Sequence, residues 1–136
     1  MLELLILLAS EGAVLEDQRA PHRIAIERIS LSGTVEETSS CAARSLNRKG
    51  LVTTYPLPNG FGLDWSPQML FKLYPGNPSY ISYEFLADDQ GTYARIKYRH
   101  PYSSKIAKDF FRDTSKVCFP KDWNSWAKSN DGKLLK

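Results

Sequence analysis

The stretch Ser79-Tyr-Ile-Ser-Tyr-Glu-Phe-Leu-Ala-Asp-Asp-Gln-Gly-Thr-Tyr-Ala-Arg-Ile-Lys-Tyr-Arg-His100 decides the fold. In its first half Ile81, Tyr83 and Phe85 fall on one face of an extended chain, opposite Tyr80, Ser82 and Glu84. In its second half Ala94, Ile96 and Tyr98 fall on one face, opposite Tyr93, Arg95, Lys97 and Arg99. A period of two residues marks strands buried on one side only. Ser79–Ala87 and Thr92–His100 are therefore expected to pair as a hairpin through Asp88–Gly91. One face packs on a core and the other meets water, as antiparallel sheets allow.

Outward from this hairpin lie the remaining strands. Leu51–Pro58 and Phe61–Ser66 flank Asn59-Gly60, a strong hairpin turn signal. Pro56 and Pro58 lie two apart, so their missing N–H groups point to the same side. That side cannot be fully paired, which makes this an edge strand. His22–Ser32 is rich in β-branched residues but alternates imperfectly. A bulge is expected where the apolar face switches from Ile24/Ile26 to Ile29/Leu31. Gln68–Tyr74 is apolar and fits either a strand or a short helix, and Tyr74-Pro75-Gly76-Asn77 fits a type II turn.

Two helices complete the pattern. Thr34-Val-Glu-Glu37 forms a capping box, and the helix it opens runs to about Arg48-Lys49 before Gly50. Val35, Thr38, Ala42 and Leu46 share its inner face, with Cys41 beside them. A serine at 103 or 104 caps a second helix, in which Ile106, Ala107, Phe110, Thr114 and Val117 recur at helical spacing. Cys118 stands in its last turn and Phe119-Pro120 ends it. The order β-α-β-β-(β)-β-β-α predicts an α+β fold. It has a single antiparallel sheet of about five strands with both helices packed on one face.

Cys41 and Cys118 are the only cysteines, one in each helix. They form either a clamp between the helices or two small buried thiols, and the clamp is the expectation. A loop of this length closed by a disulfide stabilises a fold by roughly 4–5 kcal/mol on the chain-entropy argument. Such a pair belongs to an oxidising compartment. The run Met1–Ala9, followed by Ser10-Glu11-Gly12-Ala13, looks like the end of a secretory signal, without the basic start such signals carry. It reads either as a signal remnant or as part of the fold, and it is too short to span a membrane. Residues 1–20 are thus a signal-like or irregular lead-in, 21–120 a single domain, and 121–136 a tail whose Trp123 and Trp126 dock. The address expected is extracytoplasmic, either periplasmic or secreted.

The chain of 136 residues has a net charge of only +3, too small to argue for a polyanionic partner. Its halves differ. Residues 1–90 carry 7 Lys/Arg against 11 Asp/Glu, a net of −4, and residues 91–136 carry 11 against 4, a net of +7. This fits a dipolar surface or a basic docking face.

No residue pattern names a reaction. His100 follows a strand near Arg99 and Tyr98, but histidines are common in turns; His22 is a weaker candidate still. Asp88 and Asp89 stand in a turn, where aspartate is favoured for local hydrogen bonding. Asp64 and Glu84 sit on neighbouring strands. Two cysteines and two distant histidines lack metal-ligand spacing, so neither metal nor cofactor is expected. Nucleotide loops, nucleophile elbows and zinc-protease helices are missing from the sequence. The stripe Tyr93/Arg95/Lys97/Arg99, with Tyr80 and Glu84 across from it, combines residue types enriched at protein interfaces. A nucleic-acid platform would share its bases and aromatics but carry a glycine-aromatic signature not found here.

The function expected is therefore that of a small exported non-enzymatic domain that binds another protein, of inhibitor, immunity or envelope accessory type. Two alternatives stand beside it. One is a small-ligand or carbohydrate module using a groove lined by aromatics such as Trp65, Tyr55 and Phe61. The other is a hydrolase-type enzyme centred on His100.

Overall fold

The computed structural model describes residues 22–67 and 80–130. The expectations for Met1–Ala13 and for Gln68–Asn77 lie outside these residues. The described elements are β1 (Arg23–Leu31), α1 (Val35–Asn47), β2 (Leu51–Leu57), β3 (Gly60–Ser66), β4 (Ile81–Asp88), β5 (Gly91–Tyr98), α2 (Ser104–Cys118) and α3 (Pro120–Ser129). The five strands form one sheet in the order β1-β5-β4-β3-β2, with every neighbouring pair antiparallel. The helices pack on a single face of it, and α1 also packs on α2 and α2 on α3. The α+β class and the one-sided architecture expected from the alternation are therefore correct.

The core is the helix-facing side of the sheet. Ile26, Ile29, Leu63, Trp65, Ile81, Tyr83, Phe85, Ala94 and Ile96 bury against Ala42, Leu46, Ala107, Phe111 and Trp123. Edge-to-face aromatic pairs tie the layers together. Phe111 meets Tyr83 at 5.2 Å and Trp123 at 5.8 Å between ring centroids, and Trp65 meets Phe110 at 4.8 Å.

Two bulges shape β1. Register shifts fall between Ile24 and Ile26 and between Ile26 and Ile29. The second lies where the change of face was expected. The first was not read from the sequence, and it turns Ile24 away from Ile26. Ile24 pairs with Lys97 on the outer face and is 48% exposed, while Ile26 is buried. Each extra residue exchanges the inner and outer faces of the strand beyond it.

The β2–β3 turn sits one residue earlier than the Asn59-Gly60 signal suggests. Leu57 pairs with Gly60, so Pro58 and Asn59 form the turn. Proline supplies the fixed φ a turn's first central position needs. Gly60 is held in the strand because a Cβ there would collide with the Phe85 carbonyl of β4. β2 is an edge strand of the described sheet, the position its prolines call for.

In α1, Thr34 caps as expected. Its Oγ1 accepts from the Glu37 N–H at 3.1 Å and donates to the Glu37 carboxylate at 3.2 Å. Val35, Thr38, Ala42 and Leu46 are the buried face. α2 is capped by Ser103, but its buried stripe is Ala107, Phe111, Thr114 and Ser115. Ile106 and Val117 are 37% and 67% exposed. Val117 stands about 100° around the helix from Cys118, which bonds Cys41 of α1, and so points to solvent.

Pro120 both ends α2 and begins α3. It stands at the first helical position, where its missing N–H costs nothing. Asp122 in the first turn of α3 accepts from Ser32 Oγ at 2.7 Å and from the Ser32 N–H at 2.9 Å, fastening α3 to the end of β1. Trp123 is buried and Trp126 half-buried.

The clamp is present. Cys41 and Cys118 form a disulfide joining α1 to α2, with Cα atoms 5.7 Å apart across 77 residues of sequence. Replacing both with alanine should lower stability by about 4 kcal/mol. Urea unfolding of the Cys41→Ala/Cys118→Ala variant beside the parent protein measures this. A loss below about 1 kcal/mol would mean that packing alone orders the two helices.

Candidate interaction surface

The helix-free face of the sheet carries the residues singled out above. Registered pairs across the strands place Tyr55, Gly62, Glu84 and Arg95 in one row. Asp64, Ser82 and Lys97 form the next. Glu84 is the hub. Its side chain is only 14% exposed; Lys97 Nζ lies 3.1 Å from one carboxylate oxygen and Arg95 lies 3.6 Å from the other. Arg95 also faces Glu27 at 3.6 Å. Arg99 reaches His22 Nδ1 at 3.0 Å.

Tyr93 and Tyr80 behave differently from an exposed aromatic stripe. Tyr93 is buried, because the Arg28 guanidinium stacks 4.0 Å above its ring. Arg28 in turn donates to both carboxylate oxygens of Asp88, at 2.8 and 3.1 Å. This guanidinium holds the Asp88 carboxyl below its ordinary pKa. Tyr80 packs edge-on against Tyr102 at the strand end, 5.3 Å between centroids. Arg28 escaped sequence reading because the β1 bulges hide which face it takes, and Asp88 lies 60 residues away.

Beside Glu84 a second cluster forms. Asp64 accepts from Ser82 Oγ at 2.8 Å and Tyr55 Oη at 3.1 Å. Tyr55 lies flat over Gly62, where any side chain would collide with its ring. Asp64 and Glu84 are thus on one face but in adjacent rows, each with its own donors.

Summed over this face, four cations (Arg28, Arg95, Lys97, Arg99) meet four carboxylates (Glu27, Asp64, Glu84, Asp88). The surface is mixed rather than basic. Arg95, Lys97 and Arg99 supply three of the seven excess charges of the second half, and α2 and α3 together supply another three. The two helices carry Lys105, Lys108, Arg112, Lys116, Lys121 and Lys128 against Asp109, Asp113 and Asp122.

The residues suggested for other chemistry do not converge. Trp65 and Phe61 lie on the helix side of β3 while Tyr55 lies on the opposite side of the sheet, so the three cannot line one groove. His100 is exposed in the turn after β5, and no hydrogen bond joins its ring to another described residue. No group of three or more His, Cys, Asp or Glu that could hold a metal occurs among the described residues. An open cavity of about 700 Å³ lies at the hairpin end, lined by Leu31, Thr34, Glu36, Asn59, Phe61 and Thr92 among others. Among the described residues Glu36 is its one ionisable group. Compared with known proteins, the chain matches no family model, no curated protein and no solved structure.

Replacing Glu84 with glutamine removes the carboxylate shared by Arg95 and Lys97, leaving Arg95 only its contact with Glu27, and should cost about 1 kcal/mol, read by urea unfolding. The tyrosines give a second expectation. Burial and the nearby Asp64 carboxylate push the Tyr55 phenol well above its ordinary 10.0, and complete burial does the same for Tyr83. Both stay protonated in the folded chain after the unfolded chain has begun to lose its protons. Stability should therefore be full below about pH 10 and fall above it. Unfolding midpoints at about pH 8 and pH 11 should differ less in Tyr55→Phe than in the parent.

Proposed function

We propose that this chain is an extracytoplasmic, non-enzymatic domain that binds another protein through the helix-free face of its sheet. The observation that carries the reading is the composition of that face. Ordered cations and carboxylates alternate around tyrosines, with Glu84, Arg95 and Lys97 held in fixed geometry by one another. A preorganised mixture of donors and acceptors recognises a partner by hydrogen-bond and charge register, as protein surfaces allow. Polyanion binding draws instead on a surplus of cations, and this face has none. The disulfide supports the address, since such bonds persist in oxidising compartments and are rare in the cytosol. Among the described residues no helix is long and apolar enough to cross a membrane.

A photo-crosslinking residue at Ile24, exposed beside Lys97, tests this in cells that produce the protein. The expected result is a discrete protein adduct that disappears in Glu84→Arg and has no counterpart when the crosslinker stands at Lys116. The same material should resist thiol labelling until reduced. Adducts to nucleic acid, or protein adducts from Lys116 alone, would overturn the proposal.

A further inference from the structure

We infer that β2 pairs with β2 of a second copy of this chain, antiparallel about Thr54, so that two sheets join edge to edge. Among the described residues nothing pairs with the outer edge of β2. The two edges of the sheet are treated differently. β1 carries Arg23, Glu27 and Arg28 and is bent by two bulges, the devices that keep an edge from pairing. β2, Leu51-Val-Thr-Thr-Tyr-Pro-Leu57, holds no charge and no bulge, and its register with β3 is unbroken from Leu51 to Leu57.

The prolines fix what this edge can accept. Pro56 sits in the strand with its nitrogen outward, so the outward groups are those of Val52, Thr54 and Pro56. That leaves the Val52 and Thr54 N–H groups as donors and three carbonyls as acceptors. An antiparallel copy centred on Thr54 uses both donors from each chain. Each Thr54 N–H meets the other Thr54 carbonyl, and each Val52 N–H meets the other Pro56 carbonyl. The donor that Pro56 lacks leaves only the Val52 carbonyl without a partner. On the helix side this register sets Thr54 against its own mate, a favoured β-branched pair. It also aligns Phe61 and Pro56 of one chain with Val52 and Trp65 of the other, an apolar row that would cover the exposed Phe61.

The helix above completes the match. A groove of about 260 Å³ between α1 and the edge is lined by Glu36, Ser39, Ser40, Ala43, Thr54, Phe61 and Leu63. Thr54 thus lies level with Ser40, and a two-fold axis through Thr54 brings the two α1 helices side by side and antiparallel. Strands about 4.8 Å apart place helices lying over β2 and β3 roughly 10–14 Å from their mates. The small side chains of Ser39, Ser40 and Ala43 permit that approach. Glu36 of each copy then faces Arg44 of the other, since both are four residues from Ser40. Both are exposed, and neither forms an ion pair within the described residues. A second copy therefore fits this edge in hydrogen bonds, apolar row and charge together. A foreign strand would need to supply each of these afresh. The pairing would also set two helix-free faces side by side on one surface, and it stands whether or not that face binds a partner.

Sedimentation equilibrium of the intact, oxidised protein tests the inference. The parent should be a concentration-dependent dimer. Thr54→Pro removes the central donors without touching a hydrogen bond of the monomer, and should give a monomer whose unfolding midpoint equals that of the parent at dilutions where the parent is dissociated. Arg44→Glu should weaken the dimer by about tenfold, and Glu36→Arg with Arg44→Glu should restore it. A parent that stays monomeric at millimolar concentration would overturn the self-pairing. So would a dimer indifferent to Thr54→Pro and to the charge exchange, or one in which a foreign strand alone occupies β2.

Discussion

The Cys41–Cys118 bond orders the helix layer as well as holding it. It joins the middle of α1 to the last turn of α2. Lys49 and Asp113, 3.1 Å apart, then mark the opposite ends of the same contact, so the two helices run antiparallel. The buried stripe of α2, Ala107, Phe111, Thr114 and Ser115, lies within about 60° of Cys118 around the helix and shares its inward side. Phe111 becomes the centre of the aromatic packing, and Val117 is left outside. The covalent bond and the buried aromatic stripe thus lie on one side of α2.

That constraint also explains which parts of the molecule could be read from its residues. The 80–98 segment is transparent because a sheet covered on one face imposes a two-residue period that no other structure shares. The edge position of β2 was equally plain, because proline chemistry permits no other. Thr34 and Glu37 declared the start of α1 by composition. The hidden features all depend on contacts between distant residues. The first β1 bulge reverses Ile24 for reasons that lie in the pairing with β5. The stacking of Arg28 on Tyr93, with Asp88 behind it, joins three elements. α3 went unread because a proline after a helix looks like a stop, although the same residue is equally fit to start the next helix. Its anchor is the Ser32–Asp122 contact, across 90 residues of sequence.

The candidate face shows the same division. Alternation correctly put Glu84, Arg95, Lys97 and Arg99 on the side away from the helices. It could not reveal their compensation, since Glu27 reaches Arg95 from the bulged β1, and Arg28 of that same strand takes up Asp88. A sequence count made the second half basic. The fold then divided that charge, setting Arg95, Lys97 and Arg99 among carboxylates on the sheet face and a net of +3 on α2 and α3. The distinction matters physically: a balanced, ordered face discriminates between partners by geometry, and a cationic layer attracts anions at a distance.

The two layers of the molecule consequently do different work. The helix layer carries the covalent clamp and the aromatic core, and its outer surface is loosely paired charge exposed to salt and solvent. The sheet's outer face carries short, mutually supporting contacts around Glu84 and Asp64, which cannot be rearranged singly without stranding a charge. Tyr55 is locked over Gly62, and Tyr93 under Arg28. Preorganisation of this kind lowers the entropy lost on association, because the side chains that would meet a partner are already fixed by their neighbours. The rigidity comes from the strands beneath, whose other side is the packed core. Core and candidate surface are therefore two faces of one constraint, the antiparallel sheet covered by helices on one side alone.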